Sequence, residues 1–255
     1  MKRVVVIADL HCGHRAGLTP PDYQSKLQGE KYYYAAVEQW NAYKGYIESL
    51  KPVDILVVNG DAIDGKGRIS GSSELITADT NKQVEIACEC IKEWDAPTIL
   101  MTYGTGYHVS GCDDSEEHIA KEVGALEIRS QLWVDVEGTC FDFKHHVGGS
   151  TIPHGKGTPI SKERLWNFLW TEHGEQVKAD VLVRSHVHYY YYCGEISWLA
   201  MTTPALQGQG SKFGARRCSG HVDFGVVRFD VDKEGYSWGP HSTVAESQKR
   251  KPIQL

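Results

Sequence analysis

The sequence lacks the features that mark membrane-spanning, disulfide-rich or strongly basic proteins. No apolar stretch approaches the roughly 20 residues that a membrane-spanning helix requires. The seven cysteines are scattered, odd in number and without a CxxC pair, which disfavours a disulfide framework or a structural zinc knuckle. Basic residues are not in excess, because 27 lysines and arginines stand against 33 acidic residues. These absences predict a cytoplasmic protein with free thiols.

The first half of the chain alternates short apolar runs with stretches of helical spacing. The 255 residues, 41% of them hydrophobic, suffice for a sizeable core. The predicted strands are residues 4–8, 55–58 and 98–102, and the predicted helices are residues 30–50, 80–94 and 116–123. This alternation favours parallel strands joined by crossover helices.

The second half is richer in predicted strands. Strands are predicted within residues 132–146, 181–183, 189–199 and 225–230, and a helix over 161–171. No repeat, low-complexity linker or charge block divides the chain, so we expect one α/β domain over residues 1–255. The glycine-rich stretch 207–220 is predicted to be a long loop.

Aspartate and histidine residues recur where the predicted strands end. They are Asp9, His11, Asp61, His108, His145, His146, His186 and His188. In open α/β sheets, active sites form at the carboxyl ends of strands. Carboxylates can bridge two cations, and imidazole nitrogens bind zinc, iron, manganese and nickel well. The pattern therefore predicts a site for divalent metal ions.

Four of these blocks resemble the signature of the calcineurin-like metallophosphoesterases. Asp9-Leu10-His11 is similar to the D-x-H block of that family, and Gly60-Asp61 is similar to its G-D block. The pair His145-His146 fits its isolated histidine. Ser185-His186-Val187-His188 is similar to G-H-x-H, with serine in place of glycine. The opening run, residues 9–14, is also similar to phosphoesterases of phages and their bacterial hosts. The expected location is therefore the cytoplasm, either of a cell or of a phage-infected host.

The resemblance implies two divalent ions, with manganese, zinc, iron and nickel all open as their identity. One ion would be held by Asp9, His11, Asp61 and His188. Asp61 would bridge to a second ion, held also by His186 and by one of His145 and His146. On a strand these two neighbours point to opposite faces, so only one of them should be a direct ligand.

The third block of the family, G-N-H, is not reproduced. The sequence has Gly104-Thr105-Gly106-Tyr107-His108, so Thr105 stands where an asparagine would bind the second ion. A hydroxyl is a poorer ligand, and the second ion is expected to bind weakly. His108 is the expected general acid or phosphate-binding group. Asp61 and His108 are thus the two predicted catalytic residues.

Three further residues are candidates for supporting the ligands or contacting the substrate. They are Asp64, His14 and His154. Asp64 could hydrogen-bond a ligand histidine or cap a turn. His14 and His154 could equally be structural, and His154 lies in a glycine-rich turn. The tyrosine run 189–192 is more typical of a packed strand than of a base-stacking surface.

The resemblance also implies the fold and the reaction. The expected fold is α/β, with two packed mixed β-sheets flanked by helices. The expected activity is hydrolysis of a phosphodiester by a metal-bound hydroxide. Nucleic acids and nucleotides are possible substrates, so the enzyme could be a nuclease. A phosphomonoesterase of the same fold is the first alternative. A non-catalytic metal-binding scaffold is the second, because the third block is imperfect.

Overall fold

Two β-sheets with helices on their outer faces make up the fold in the computed structural model. The structure describes residues 1–29, 32–66, 72–106, 114–150, 152–208, 222–244 and 246. The first sheet contains β1 Lys2–Ile7, β2 Ile55–Asn59, β3 Thr98–Thr102, β4 Glu127–Arg129, β10 Phe224–Asp232 and β11 Gly235–Thr243. Its strand order is β11-β10-β1-β2-β3-β4. Strands β1 to β4 run parallel, whereas β10 and β11 join antiparallel.

The second sheet has five strands and is also mixed. It contains β5 Leu132–Val136, β6 Thr139–Phe143, β7 Val181–Arg184, β8 Tyr191–Glu195 and β9 Trp198–Thr202. Their order is β5-β6-β7-β9-β8. The β6-β7 and β7-β9 pairs are parallel, and the two outer pairs are antiparallel.

Five α-helices and two short 3-10 turns connect the described strands. The helices are α1 Pro21–Gln24, α2 Tyr33–Leu50, α3 Thr80–Lys92, α4 Ser115–Val123 and α5 Gly157–Glu172, and the turns are Ser25–Leu27 and Pro153–Gly155. Asp79 is the N-cap of helix α3, and its carboxylate accepts the Asn81 N–H at 3.0 Å. Helix α4 ends at Gly124, which has a left-handed φ of 68°.

Strand β1 shows how alternation divides the core between two layers. Val5 and Ile7 face helices α2 and α3, in a cluster that also contains Trp40 and Ile91. Val4 and Val6 point the other way and pack between the sheets. The inter-sheet layer is completed by aromatic residues such as Phe141, whose ring meets Phe229 edge to face at 5.1 Å. A strand buried on both faces therefore consists of apolar residues without alternation.

The predicted fold class is confirmed, as are the main helices and most of the strands. Strands β4 and β11 were not predicted, because β4 is only three residues long and β11 is largely polar. The strand pattern predicted over residues 132–146 ends early, at Phe143. His145 and His146 therefore lie in the loop after β6, and their placement on a strand was wrong.

Membrane-spanning helices and disulfides are both absent from the described residues. No helix in the described ranges combines the length and the apolar content that a bilayer span needs. The described cysteines, Cys12, Cys88, Cys90, Cys140 and Cys193, are all free thiols.

Candidate metal centre

The loops that follow β1, β2 and β7 meet at one edge of the two sheets. The Asp9 N–H donates to the Gly60 carbonyl at 3.1 Å, and the His11 N–H donates to the Asp61 carbonyl at 3.0 Å. From the second sheet, the His186 N–H donates to Asp9 Oδ2 at 3.1 Å. Backbone hydrogen bonds thus hold the polar ends of three strands side by side, although the chain separates them widely.

The side chains at this edge form two groups of potential metal ligands. The first ligand group is Asp9, His11 and His188, and the second ligand group is Asp61, His145 and His186. Within each group, the potential ligand atoms lie within 4.8 Å of one another. Both aspartates and His145 are buried, and His186 and His188 are partly exposed.

The two ligand groups adjoin and share their carboxylates. In the first group, Asp9 Oδ1 lies 3.2 Å from His188 Nε2, and in the second, Asp61 Oδ2 lies 3.0 Å from His145 Nε2. Across the groups, His11 Nε2 lies 3.9 Å from Asp61 Oδ2, and His145 Nε2 lies 3.9 Å from Asp9 Oδ1. Each carboxylate therefore faces histidines of both groups.

The surroundings of one buried oxygen, Asp9 Oδ1, indicate whether these residues suit a bound cation. Asp9 Oδ1 is inaccessible to solvent and makes no hydrogen bond of acceptable geometry within the described chain. Three imidazole Nε2 atoms, from His11, His145 and His188, nevertheless lie 3.2 to 3.9 Å away. A buried carboxylate oxygen without a partner is costly. A divalent cation between these atoms would satisfy it, so the residues fit such an ion.

The backbone at this edge is held in an unusual conformation. Asp9, His11, Asp61, His186 and His188 all have φ between 44° and 72°. Residues other than glycine seldom adopt this left-handed region, and each such residue stores about 1–3 kcal/mol of strain. Five strained residues that all present carboxylate or imidazole groups to one place indicate a functional site.

Burial and mutual charge shift the pKa values of the cluster in opposite directions. Burial lowers the pKa of His145, but the Asp61 and Asp9 carboxylates outweigh it and raise that pKa to about 10. Burial lowers the pKa of His186 to about 4, although Asp9 acts against this shift. Burial raises the pKa of Asp9, but His188 and His145 bring it below its ordinary value. The two buried carboxylates thus make the site attractive to positive charge.

Hydrogen bonds orient the rings of two of the histidines. His11 Nδ1 lies 3.0 Å from Asp64 Oδ1, and His145 Nδ1 lies 2.8 Å from the Asn59 carbonyl oxygen. Each ring donates through Nδ1, which leaves its Nε2 as the nitrogen that faces the carboxylates. This arrangement is common among histidines that bind metal ions.

Thr105 lies inside the second ligand group. Its N–H donates to Asp61 Oδ1 at 2.6 Å, and its hydroxyl lies 3.0 Å from Asp61 Oδ2. The same hydroxyl is 3.3 Å from His145 Nε2 and 3.2 Å from His186 Nδ1. Thr105 therefore stands where the sequence analysis places it, in contact with the residues predicted to bind the second ion.

The structure distinguishes His145 from His146. The His145 ring is buried against Asp61, whereas His146 is exposed and packs against the His186 ring at a centroid distance of 4.7 Å. Strand alternation is not the cause, since both residues follow β6. The His145 ring is held by the Asn59 carbonyl, 2.8 Å from its Nδ1, and the Ser185 N–H donates to the His145 carbonyl at 2.8 Å. His145 is the one that reaches the carboxylates.

The remaining predicted residues are less closely tied to the two ligand groups. His14 is buried, and its Nδ1 accepts the Ala16 N–H at 3.0 Å, which indicates a role in holding the loop after β1. His154 lies exposed in the turn Pro153–Gly155. His108 and most of the predicted loop 207–220 lie outside the described residues.

Sequence reasoning missed a buried glutamate beneath the site. Glu116 accepts the Gly104 N–H at 2.5 Å and the Ala62 N–H at 3.4 Å, and so ties the loops after β3 and β2 together. Burial raises the pKa of Glu116 to about 7, and the nearby Asp61 carboxylate adds to this shift. Nothing in the sequence links Glu116 to Asp61, because it lies in the first turn of a helix of ordinary amphipathic pattern.

A buried polar network was also missed. The Asn59 amide donates to Ser185 Oγ at 2.7 Å and accepts from the Thr102 hydroxyl at 2.9 Å. Ser185 Oγ in turn lies 2.8 Å from Thr203 Oγ1. The serine that departs from the G-H-x-H pattern thus links the ends of β2 and β7. An asparagine at the end of an apolar strand was the signal that could have indicated this network.

Gly104 provides a direct test of how tightly the second ligand group is packed. A Cβ at Gly104 would overlap the Asp61 carboxylate and backbone nitrogen. We expect Gly104→Ala to lower the free energy of unfolding by about 1–3 kcal/mol, because the buried neighbours must shift. Displacing Asp61 should also weaken metal binding by at least about tenfold. Denaturant unfolding and metal titration measure the two effects.

Gly106→Ala is the matched control for this substitution. A Cβ at Gly106 would meet no atom of the described residues within 4 Å. Its unfolding free energy should stay within about 0.5 kcal/mol of the parent protein. If both substitutions lowered the unfolding free energy and the metal affinity equally, the cause would be a general intolerance of side chains in this loop and not the contact with Asp61.

Comparisons with known proteins give remote structural likenesses. No protein-family model matches the chain, and no curated protein sequence does. The structure of vacuolar protein sorting 29 from Cryptosporidium parvum aligns at 10% identity and a TM-score of 0.47, over 95% of this chain and 98% of that one. The zinc complex of the same-named protein from Entamoeba histolytica aligns at 10% identity and 0.42, over 94% and 98%. An archaeal phosphodiesterase aligns at 13% identity and 0.43, over 93% and 99%. At this distance the neighbours assign neither a family nor an activity to the chain.

Proposed function

We propose that the protein is a metal-dependent phosphoesterase and that it acts on phosphodiesters. The observation that supports this proposal is the pair of adjoining ligand groups, in which each carboxylate faces histidines of both groups. Paired divalent ions held in this way serve phosphatases, nucleases and polymerases. The mixed nitrogen and oxygen donors suit manganese, zinc, iron or nickel.

The chain would hold one ion through Asp9, His11 and His188 and the other through His145 and His186, with Asp61 reaching both. When bound, such ions would neutralise charge on a phosphoryl group and lower the pKa of a coordinated water. Asp64 and the Asn59 carbonyl keep His11 and His145 oriented for this task. Burial lowers the pKa of His186 to about 4, and this direction favours the neutral imidazole that binds a metal ion.

The charge around the site favours a diester over a monoester. A phosphomonoester carries up to two negative charges near pH 7, whereas a diester carries one. Within the described residues, no lysine or arginine forms an ion pair with either ligand group. Lys144, which precedes His145, lies 3.9 Å from Glu163, and Arg184 is engaged by Asp142 at 2.8 Å and by Glu163 at 3.0 Å. Among the described residues, the cations nearest the ligand groups along the chain are thus paired with carboxylates outside those groups, which supports the proposal of a singly charged diester.

The proton for the leaving oxygen would come from a histidine. We retain His108 as the proposed general acid, on the strength of its position after β3 in the sequence. His146 is a second candidate donor, because its ring is exposed and packs against the His186 ring. Nucleic acids and nucleotides are the proposed natural diesters.

Metal add-back distinguishes the candidate activities. The metal-stripped protein is assayed with an aryl phosphodiester and the matching monoester, after addition of manganese, zinc, nickel or magnesium. We expect metal-dependent turnover, with the diester hydrolysed at least about tenfold faster in kcat/KM, which corresponds to about 1.4 kcal/mol in the barrier. A faster monoester would overturn the diester assignment and retain the enzyme class. Single-stranded and duplex oligonucleotides then test for nuclease activity.

A non-catalytic metal-binding scaffold is the second candidate function. The observation that favours it is Thr105, whose hydroxyl occupies the second ligand group where the resembled family has an asparagine amide. Stoichiometric metal binding without turnover of any phosphoester would support the scaffold and contradict the enzyme.

A further inference from the structure

The outer face of helix α5 is apolar and uncovered. Leu165 is 57% exposed, Trp166 45% and Leu169 39%, although all three lie in the middle of a 16-residue helix. Only Ile160 and Asn167 of this helix are buried. Contiguous apolar surface of this kind on a soluble domain marks an interaction site.

The helix cannot rotate to bury these side chains. On its inner side, Glu163 accepts from the buried Arg184 guanidinium at 3.0 Å. Arg164 donates to the Ala179 carbonyl at 2.9 Å and lies over the Trp198 ring. Asn167 donates to the Val177 carbonyl at 2.9 Å. These polar contacts fix which face of α5 points outward.

The exposed residues follow the spacing of a helix-pairing seam. Lys162, Leu165, Leu169 and Glu172 are separated by three, four and three residues, so they form one stripe along the helix. Lys162 and Glu172 are both exposed, and neither forms an ion pair within the described chain. The stripe therefore has leucines at its centre, a positive charge at one end and a negative charge at the other.

This stripe is complementary to itself in one orientation. If a second copy of α5 packs antiparallel across a twofold axis near residue 167, Leu165 lies opposite Leu169 and Lys162 lies opposite Glu172. A parallel pair would instead place lysine against lysine and glutamate against glutamate. A twofold interface requires this kind of self-matching patch.

We propose that the protein forms a homodimer in which the outer faces of two α5 helices pack antiparallel. The stacked rings of Trp166 and Trp170, 6.1 Å apart, flank the leucine seam and extend the contact. The dimer covers apolar surface that the monomer leaves in water, and the charge pairs set its register. This proposal does not depend on the proposed enzymatic activity.

Sedimentation velocity of the full chain over a range of concentrations tests the dimer. We expect the parent protein to sediment as a dimer and the Leu165→Glu/Leu169→Glu variant as a monomer, with dimerisation weakened at least about 100-fold. Leu126→Glu is the matched control, since Leu126 is 74% exposed at another site and should leave the dimer intact. Circular dichroism and thermal unfolding confirm that each variant is folded.

Charge exchange tests the antiparallel register. Lys162→Glu and Glu172→Lys alone should each weaken dimerisation by about tenfold, because each creates like-charge contacts at two symmetric sites. The double variant should restore the parent affinity, because the opposite charges meet again with their positions exchanged. A monomeric parent protein, or a dimer that survives the leucine substitutions, overturns the proposal. A dimer that the double variant fails to restore overturns the antiparallel pairing.

Discussion

Asp61→Asn is expected to lower kcat/KM for a phosphodiester by at least about 1,000-fold, because residues that merely support a ligand already account for 10–100-fold. Asp61 Oδ2 lies 3.0 Å from His145 Nε2 and 3.9 Å from His11 Nε2, so its carboxylate serves both ligand groups. Asparagine keeps the shape but loses the charge, and its amide NH2 would point at one of the ligand positions. Steady-state kinetics and metal content of the purified variant measure the effect.

Asp64→Asn is the control for this substitution. Asp64 contacts the cluster through the His11 ring at 3.0 Å and does not itself belong to either ligand group, so its replacement should lower kcat/KM by about 10–100-fold. The ion-free forms of both variants should unfold within a few degrees of the ion-free parent protein. The proposed function would be refuted by an Asp61→Asn protein that is depleted of metal and remains fully active.

Removal of metal is expected to lower the thermal unfolding midpoint by about 8–16 °C. An ion at about 1,000 times its Kd stabilises the folded state by about 4 kcal/mol. In a domain of this size each kcal/mol corresponds to about 2–4 °C. The physical reason is the site itself, in which removal of a cation would leave the charge of two buried carboxylates uncompensated among five strained residues. Scanning calorimetry with chelator, followed by metal add-back, measures the shift.

The Asp61→Asn variant is also the control for this experiment. Because it lacks the shared carboxylate, chelator should change its unfolding midpoint by less than about 3 °C, which corresponds to about 1 kcal/mol of remaining linkage. If chelator strips the ions from the parent protein and leaves its midpoint unchanged, the ions bind outside the ligand groups described above.

Much of the fold could be predicted because it depends on local patterns. Strand β3 was predicted with its observed bounds, and helix α3 with its observed start, since apolar runs and helix caps lie within a few residues of each other. Sheet order could not be predicted in the same way. Strand β10 pairs with β1 from more than 220 residues away, as in the register of Val4 with Phe229, and no local pattern encodes that partnership.

The candidate site was predicted in its residue types and only partly in its arrangement. The order of Asp9, His11, Asp61 and the later histidines in the sequence was sufficient to indicate metal-binding chemistry. It was insufficient to choose between His145 and His146, because the His145 ring is held by contacts with Asn59 and Asp61, more than 80 residues earlier in the chain. The rule of strand alternation does not apply to this pair, because both histidines lie in the loop after β6.

By itself, then, the sequence determined which groups could bind metal and that they follow strands, because strand ends are marked by where short apolar runs stop. Only the tertiary structure decided that Asp9 and Asp61 face the same histidines, that Thr105 enters the second ligand group and that Glu116 closes the site from below. It also decided that the apolar stripe of α5 points outward. These properties arise from contacts between segments that are distant in the chain, and such contacts form only when the two sheets have packed.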